Sequence, residues 1–284
     1  MRKTMTSLTL LALMVTTAGS ALAQGMPTSQ PKFLQIYREQ VKMGRVGDHA
    51  KWEAGWPAAF EKNKSPYSYI ALASVTGPNE VWYVSPLASQ AAFGDTLARE
   101  DADPALRAEL DRLSRGDAEF VSESTSLQAL ARPDLSYGNF PDLAMMRFWE
   151  ISTYRVKPGH EDAFAAAAKA WASATARIAK DTSWRTYEVV AGAPAGTYLI
   201  FSSHPNFGAF DKGSADGEAT FKGLTFDERT ALDKYFADAA LSTVTNRYRL
   251  DPGQSFVPAE TRQKDPAFWM PKSAAPAKAP AKKP

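Results

Sequence analysis

Apolar and polar positions alternate in two well-separated runs, Phe33–Val41 and 147–156, which predicts two half-buried strands rich in aromatic and β-branched residues. Each run leads through a glycine-containing turn into a helical pattern, over 48–62 in the first case and 161–180 in the second. The further predicted elements are strands over 67–75, 80–85, 184–191 and 197–202, helical regions over 104–120 and 226–240, and closing strands over 122–131 and 242–250. The pattern therefore predicts the order β-α-β-β-α-β twice.

A shift of 115 residues aligns the two stretches, placing Gly44 on Gly159 at a turn and Trp56 on Trp171 in a helix. This predicts an internal duplication, with repeats at 31–138 and 145–253. The order β-α-β-β-α-β is that of a ferredoxin-like fold, whose sheet carries both helices on one face. Because the other face needs cover, we expect an α+β protein in which two tandem ferredoxin-like repeats pair their sheets face to face, forming an intramolecular α+β barrel with helices outside.

The first 23 residues have the features of a signal peptide: Arg2 and Lys3, an apolar core over 8–15 and Ala21-Leu22-Ala23 before the cleavage point. The alternative is a membrane anchor, for which the apolar run is short. Residues 254–284 are predicted to be a C-terminal extension, and its tail from Lys272 contains only Lys, Ser, Ala and Pro, a composition typical of disorder. We expect a periplasmic or secreted protein, with the tail either contacting an anionic envelope surface or simply solvated.

Composition excludes several classes of function. The chain has no cysteine, so disulfides, thiolate nucleophiles and Cys-ligated metals are absent. The net charge of +2 becomes 0 without the two N-terminal cations and −4 without the four tail lysines, which argues against nucleic-acid binding. No other long apolar run exists, so we expect no transmembrane segment in the mature chain, and either a monomer or a homodimer.

The run WEISTYRVKPGH at 149–160, with Phe164 beyond it, resembles the opening strand, turn and helix of NIPSNAP-like proteins. These belong to the dimeric α+β barrel superfamily, with antibiotic-biosynthesis and haem-degrading monooxygenases. The first stretch keeps Val41, Lys42 and Gly44 of this motif but has Met43 in place of its proline. The whole chain is similar to a group of exported bacterial proteins. The resemblance implies the barrel fold, and it leaves the function open because the superfamily hosts many activities.

Glu150 is the first candidate site residue, because it stands in a strand that is otherwise apolar and aromatic. A carboxylate in such a place often marks a pocket, although a partner such as Arg185 or a backbone donor could equally satisfy it. Its counterpart in the first stretch is Gln35. Arg38 and Tyr154, near the ends of the first strands, could join Glu150 in a polar cluster, the alternative being ordinary cross-strand ion pairs.

Trp56 and Trp171 occupy corresponding helical positions and are interpreted either as aromatic pocket walls or as core residues. The three histidines, His49, His160 and His204, show no pair with helical metal spacing, so no metal or cofactor is expected. The segment 213–217 (GSADG) is predicted to be a flexible loop, either a lid or a surface connection.

Three hypotheses follow. The first is a binding protein that holds a small apolar or aromatic molecule in a barrel pocket. The second is a cofactor-independent monooxygenase or isomerase, in which Glu150 and an arginine point into an enclosed cavity. The third is a structural envelope protein. Whether the chain is an enzyme, and which ligand it takes, stay open at this point.

Overall fold

A computed structural model of the chain describes residues 26–270, so the predicted signal peptide and the tail from Lys272 lie outside the described part. The strands are β1 Phe33–Val41, β2 Tyr69–Ser74, β3 Glu80–Leu87, β4 Val121–Ala131, β5 Phe148–Val156, β6 Arg185–Ala191, β7 Thr197–His204 and β8 Ala240–Phe256. The helices are α1 Val46–Glu53, α2 Gly55–Lys62, α3 Gln90–Ala102, α4 Pro104–Asp117, α5 Glu161–Ile178, α6 Ala209–Lys222, α7 Phe226–Lys234, α8 Ala259–Lys264 and α9 Pro266–Trp269. One π-helical turn, Tyr235–Ala239, joins α7 to β8.

Local sequence explains where several helices begin. The Ser89 hydroxyl accepts a hydrogen bond from the Ala92 amide at the start of α3, and the Asp103 carboxylate caps α4. Thr225 and Glu228 form a reciprocal capping box at α7. The turns after β1 and β5 hold Gly44 and Gly159 with φ of +78° and +83°, a conformation that glycine adopts without strain. Both turns thus occur where the sequence predicts them.

The helical layer differs from the prediction in three places. The helix expected over 48–62 is divided at Ala54, because Pro57 has no amide to donate to the carbonyl one turn earlier. Helix α3 was not predicted. The segment 213–217 is no loop but the middle of α6, where burial of Phe210 and Thr220 on one side of the helix outweighs the low helix propensity of its two glycines.

The predicted fold class is wrong. Instead of two tandem ferredoxin-like sheets that pack face to face, the eight strands form one closed antiparallel barrel in the order β1-β3-β2-β8-β5-β7-β6-β4. Strands of the two halves hydrogen-bond at both seams, β2 with β8 and β4 with β6. Two separate sheets would leave backbone N–H and C=O groups unpaired at their edges. Closing the barrel pairs these groups, which packing two sheets face to face does not do. The internal duplication and the repeat boundaries stay predictions from the sequence.

The interior of the barrel is filled with side chains from all eight strands. Its buried residues include Leu34, Ile36, Leu72, Trp82, Leu127, Ile151, Val189, Leu199, Tyr248 and Leu250. One end is covered by the C-terminal segment, where the Trp269 indole donates to the Ala144 carbonyl at 3.0 Å and Arg147 pairs with Asp265. The space left at this end is about 70 Å³, enough for only a few water molecules. A ligand-sized site therefore has to lie outside the barrel wall.

The longer helices cover the outer surface of the barrel and form a separate apolar layer in each half. In the first half, Phe60, Leu106 and Leu113 pack on the barrel, and in the second half Phe164 and Leu232 do so. Within residues 26–270, none of the helices combines the length and apolar character needed to cross a bilayer.

Candidate functional site

Two cavities lie between the outer wall of the barrel and the helices, one in each half. The cavity in the second half has a volume of about 480 Å³, and that in the first half about 240 Å³. A volume of 300–1,000 Å³ is typical of small-molecule sites. The larger cavity, named the second-half cavity below, is therefore the better candidate.

The second-half cavity is bounded by β5 and β7 on the barrel side and by α5 and α7 on the helix side. Helix α5 presents the small side chains of Ala167 and Ala168 next to Trp171, and this run of alanines is the reason that space remains there. The aromatic side chains of the wall are Tyr154, Phe164, Trp171, Trp184, Phe221, Tyr235 and Phe236. The wall favours an apolar or aromatic occupant.

The charged group in the wall of this cavity is the carboxylate of Glu150, which forms an ion pair with Arg247 just outside it. Glu150 lies on the outer face of β5, and its Oε2 accepts a hydrogen bond from Nε of Arg247 at 3.1 Å across the β5–β8 pair. The Arg247 guanidinium also lies 4.2 Å from the ring centre of Phe210. Both side chains of the pair are about one-third exposed, so a ligand could approach either of them.

Beyond the ion pair lies an adjoining space of about 320 Å³ under α6. It shares Glu150, Trp171, Trp184 and Ser202 with the second-half cavity and adds Arg247 and His204. Burial lowers the pKa of His204, an effect that nearby Glu150 opposes and nearby Arg247 reinforces. The imidazole is therefore neutral at pH 7.

The phenols of the cavity are also neutral. Burial, assisted by the negative charge of Glu150, raises the pKa of Tyr154. Burial and the neighbouring Tyr154 raise the pKa of Tyr235 to about 12. Tyr235 begins the π-helical turn, a feature that is frequent at functional sites. The second-half cavity thus offers neutral hydroxyl groups beside one carboxylate, and the adjoining space adds one guanidinium.

The cavity in the first half, named the first-half cavity, is lined by α2, α3 and α4 and by the outer faces of β1 to β3. Its wall includes Trp56, Phe60, Tyr67, Tyr69, Tyr83 and Phe93. Three carboxylates, Glu39, Glu53 and Glu100, also line it. The two halves therefore have the same kind of cavity with different polar groups.

The structure brings together three of the predicted site residues: Glu150, Tyr154 and Trp171 all line the second-half cavity. Trp56 lines the first-half cavity instead, on the opposite half of the molecule. Both tryptophans also pack against the apolar layers of their halves, so these positions fit either interpretation, pocket wall or core residue.

The other three predicted residues lie elsewhere. Gln35 is buried on the outer face of β1, where its amide oxygen accepts from Gln128 at 3.1 Å. Arg38 forms a cross-strand ion pair with Glu80 at 2.8 Å, the simpler of the two alternatives considered for it. Arg185 donates to the carbonyls of Tyr137, Trp184 and Gly138 at the covered end of the barrel. Successive residues of a strand face opposite sides, and the side chain of Arg185 faces the barrel interior.

Sequence inspection missed Arg247 and Tyr235. Arg247 stands directly opposite Glu150 in the β5–β8 register, so pairing the first and closing strands of the second stretch would have identified it. Tyr235 has no comparable sequence signal, because its position depends on the extra residue that the π-helical turn inserts before β8.

No family model matches the chain, and no curated protein matches it. Solved structures that are similar to it include a candidate monooxygenase from Lactobacillus acidophilus, at 9% identity and a TM-score of 0.49, with 80% of this chain and 99% of that chain covered. An anthrone oxidase-like protein gives 12% identity and a TM-score of 0.49, with coverage of 78% and 92%. A chlorite dismutase variant from Candidatus Nitrospira defluvii gives 8% identity and a TM-score of 0.45, with 83% of this chain and 96% of that chain covered.

Similarity at this level does not decide what the chain does. Monooxygenase-like proteins of low identity occur among the neighbours, whereas the NIPSNAP-like assignment stays a prediction.

Proposed function

We propose that the second-half cavity binds a small, mainly apolar or aromatic molecule whose polar group interacts with Glu150 and Arg247. The observation that carries this proposal is the combination of a volume of about 480 Å³ with a wall of seven aromatic side chains and one carboxylate, Glu150, which pairs with Arg247 in the adjoining space. Sites for small molecules are commonly apolar with few polar groups that fix orientation.

The ion pair suggests what the polar group of the ligand is. Glu150 engages only Nε of Arg247, and within residues 26–270 no side chain or carbonyl accepts from the other guanidinium nitrogens. A carboxylate, enolate or phenolate oxygen could accept from these N–H groups without breaking the ion pair. We therefore propose an aromatic or polycyclic molecule with one acidic oxygen.

The direct test is native mass spectrometry of the full chain purified from its own source. We expect an adduct in the mass range of a small organic molecule. The variant Ala168→Trp fills the cavity from α5 and should lose the adduct, whereas Leu97→Trp, which faces the first-half cavity, should retain it. Circular dichroism confirms that both variants fold. An adduct that persists in Ala168→Trp would exclude the second-half cavity as its site.

A defined probe tests the polar end independently. The dye 1-anilinonaphthalene-8-sulfonate combines aromatic rings with an anionic oxygen group, and its fluorescence rises in apolar surroundings. Arg247→Gln should weaken its binding at least tenfold, since a charge-assisted hydrogen bond contributes about 1.5–3 kcal/mol. Unchanged binding would show that Arg247 does not hold the anionic group.

Catalysis by a monooxygenase or isomerase mechanism is the alternative. Glu150 and one arginine line the adjoining space under α6, although that space is partly open to solvent and the arginine is Arg247, not one of those expected. Incubating the purified chain with the recovered ligand under oxygen separates the two. An unchanged ligand supports binding alone, and a product that forms only in the presence of the protein supports an enzyme.

A further inference from the structure

Four titratable side chains meet under the helices of the first half, away from the cavity proposed to bind a ligand. Glu39 comes from β1, His49 and Glu53 from α1, and Asp117 from the last position of α4. One nitrogen or oxygen atom of each lies within 4.8 Å of those of the other three. We name this group the Glu39–Asp117 cluster.

The geometry of α1 and α4 creates the cluster. His49 and Glu53 are four residues apart, so both face the same side of α1. Helix α4 can approach α1 closely because residue 116 is glycine: a Cβ there would lie 1.9 Å from the Trp52 ring. The Trp52 indole donates to the Leu113 carbonyl at 2.8 Å and fixes the approach, which brings Asp117 next to His49.

The cluster is buried, and its polar atoms are poorly satisfied. His49, Glu53 and Asp117 are 1%, 4% and 6% exposed. His49 Nε2 lies 3.2 Å from Glu39 Oε2 and 3.5 Å from Asp117 Oδ1. The buried Glu53 Oε1 has no hydrogen-bond partner among the described residues. Such an oxygen normally costs stability unless something bonds to it.

His49 is the one basic side chain in the cluster, and it contacts Glu39 and Asp117. Within residues 26–270, neither lysine nor arginine forms a salt bridge with Glu39, Glu53 or Asp117. A cation among these three carboxylates would offset their mutual repulsion and would bond to the unpartnered Glu53 Oε1.

We propose that the Glu39–Asp117 cluster binds one divalent first-row transition-metal ion, of which Zn²⁺ and Mn²⁺ are the representatives to test. One imidazole nitrogen and three carboxylate oxygens suit such an ion, whereas Mg²⁺ and Ca²⁺ prefer oxygen ligands alone. Tetrahedral Zn²⁺ with bonds of about 2.0–2.1 Å needs ligand atoms about 3.4 Å apart. The His49 distances of 3.2 and 3.5 Å already match this value.

The first-half cavity supplies access to the cluster. Glu39 and Glu53 line the cavity as well as the cluster, so an ion can enter from there and keep a coordination position directed at the space beside Tyr67 and Tyr83. No pair of histidines exists at metal spacing, and the sequence therefore indicated no metal site. The sequence feature that does point to a metal site is His49 followed by Glu53, a histidine and a carboxylate four residues apart on one helix.

Metal binding is tested on the full chain after removal of metals with EDTA. Equilibrium dialysis against Zn²⁺ or Mn²⁺, with metal measured by mass spectrometry, should give one ion per chain, and Mg²⁺ should bind at least a hundredfold more weakly. Glu53→Gln and Asp117→Asn should each weaken Zn²⁺ binding at least tenfold. Asp48→Asn, an exposed change on the same helix, should leave it unchanged.

A spectroscopic measurement does not depend on the variants. X-ray absorption of the Zn²⁺-loaded wild-type chain should show one imidazole nitrogen and at least two carboxylate oxygens at about 2.0–2.1 Å. The proposal is overturned by the absence of stoichiometric binding in the wild type, by unchanged binding in both Glu53→Gln and Asp117→Asn, or by more than one imidazole around the ion.

Discussion

In both halves of the barrel, a space lies between the outer wall and the helices, but the side chains that line it differ in polarity. In the first half, the space between β1, α1 and α4 holds a buried group of carboxylates and a histidine. In the second half, the space between β5, α5 and the π-helical turn is apolar and opens into the larger cavity. At the 115-residue shift of the predicted duplication, Glu39 pairs with Tyr154, His49 with Phe164 and Glu53 with Ala168. At the end of each half, Val121 pairs with Val41 as Ala240 pairs with Val156, and this shift of 119 residues sets Asp117 against Phe236.

Every member of the Glu39–Asp117 cluster is thus replaced by an apolar or aromatic residue. Phe164, at the position of His49, is 3% exposed and belongs to the apolar layer of the second half. The opposite change occurs at Gln35, whose counterpart Glu150 supplies the carboxylate of the second-half cavity. One arrangement of strands and helices can therefore enclose either a group of titratable side chains or an apolar space. Which of the two it encloses depends on the side chains at four positions between the barrel wall and the helices.

The largest effect is expected from Phe164→Ala. The Phe164 ring packs at 4.4 Å from the Tyr198 ring centre and at 5.5 Å from those of Tyr154 and Tyr235. Its removal should lower the free energy of unfolding by about 3–5 kcal/mol, as for other buried phenylalanines. Urea unfolding measures this loss. Phe226→Ala, at a site 83% exposed, serves as the control and should change it by less than about 0.5 kcal/mol. A loss under 1 kcal/mol for Phe164→Ala would show that this layer does not stabilise the second half.

A smaller effect is expected from Ala168→Glu, which places a carboxylate at the position that corresponds to Glu53. The second-half cavity has no histidine in its lining, and its one carboxylate, Glu150, would repel the new charge. The introduced carboxylate is therefore poorly compensated and should cost about 1–3 kcal/mol. Zn²⁺ should not recover this loss. Ala166→Glu, on the exposed side of α5, is the matched control. Equal unfolding free energies for the two variants would mean that the second-half cavity is as polar as solvent.

The order of the strands along the chain and the residues that face the core could be predicted from the sequence. The alternation of apolar and polar residues and the turns at Gly44 and Gly159 are local signals. The joining of β4 to β6 and β2 to β8 was not accessible, because it depends on which sheet edges meet across the molecule. The prediction of face-to-face sheets failed for that reason.

The candidate site was predictable to a similar extent. Glu150 was identified because burying a carboxylate in an apolar and aromatic strand is costly unless a partner or a pocket accommodates it, and it does line a cavity. The Glu39–Asp117 cluster did not stand out, because its members lie on three separate elements and each looks ordinary alone. Helix α6 shows a further limit: two glycines suggested a loop, and only the burial of Phe210 and Thr220 explains the helix.

The smallest effect concerns the histidines, whose surroundings also differ between the halves. His49 faces two carboxylates, whereas His204 lies 4.5 Å from the Phe210 ring centre, with Glu150 and Arg247 as the charged groups nearby. Because burial puts the pKa of His204 in the folded chain below its ordinary value of 6.5, the neutral imidazole stabilises the fold above pH 6.5. This contribution is lost as the pH falls through the lower, folded pKa. The slope of thermal stability between pH 7 and pH 5 should therefore decrease in His204→Gln, while His160→Gln, at the start of α5, should leave it unchanged. A slope that stays the same in His204→Gln would show that the ion pair of Glu150 and Arg247 tolerates a protonated imidazole beside it, and that the adjoining space under α6 is more open to solvent than its geometry indicates.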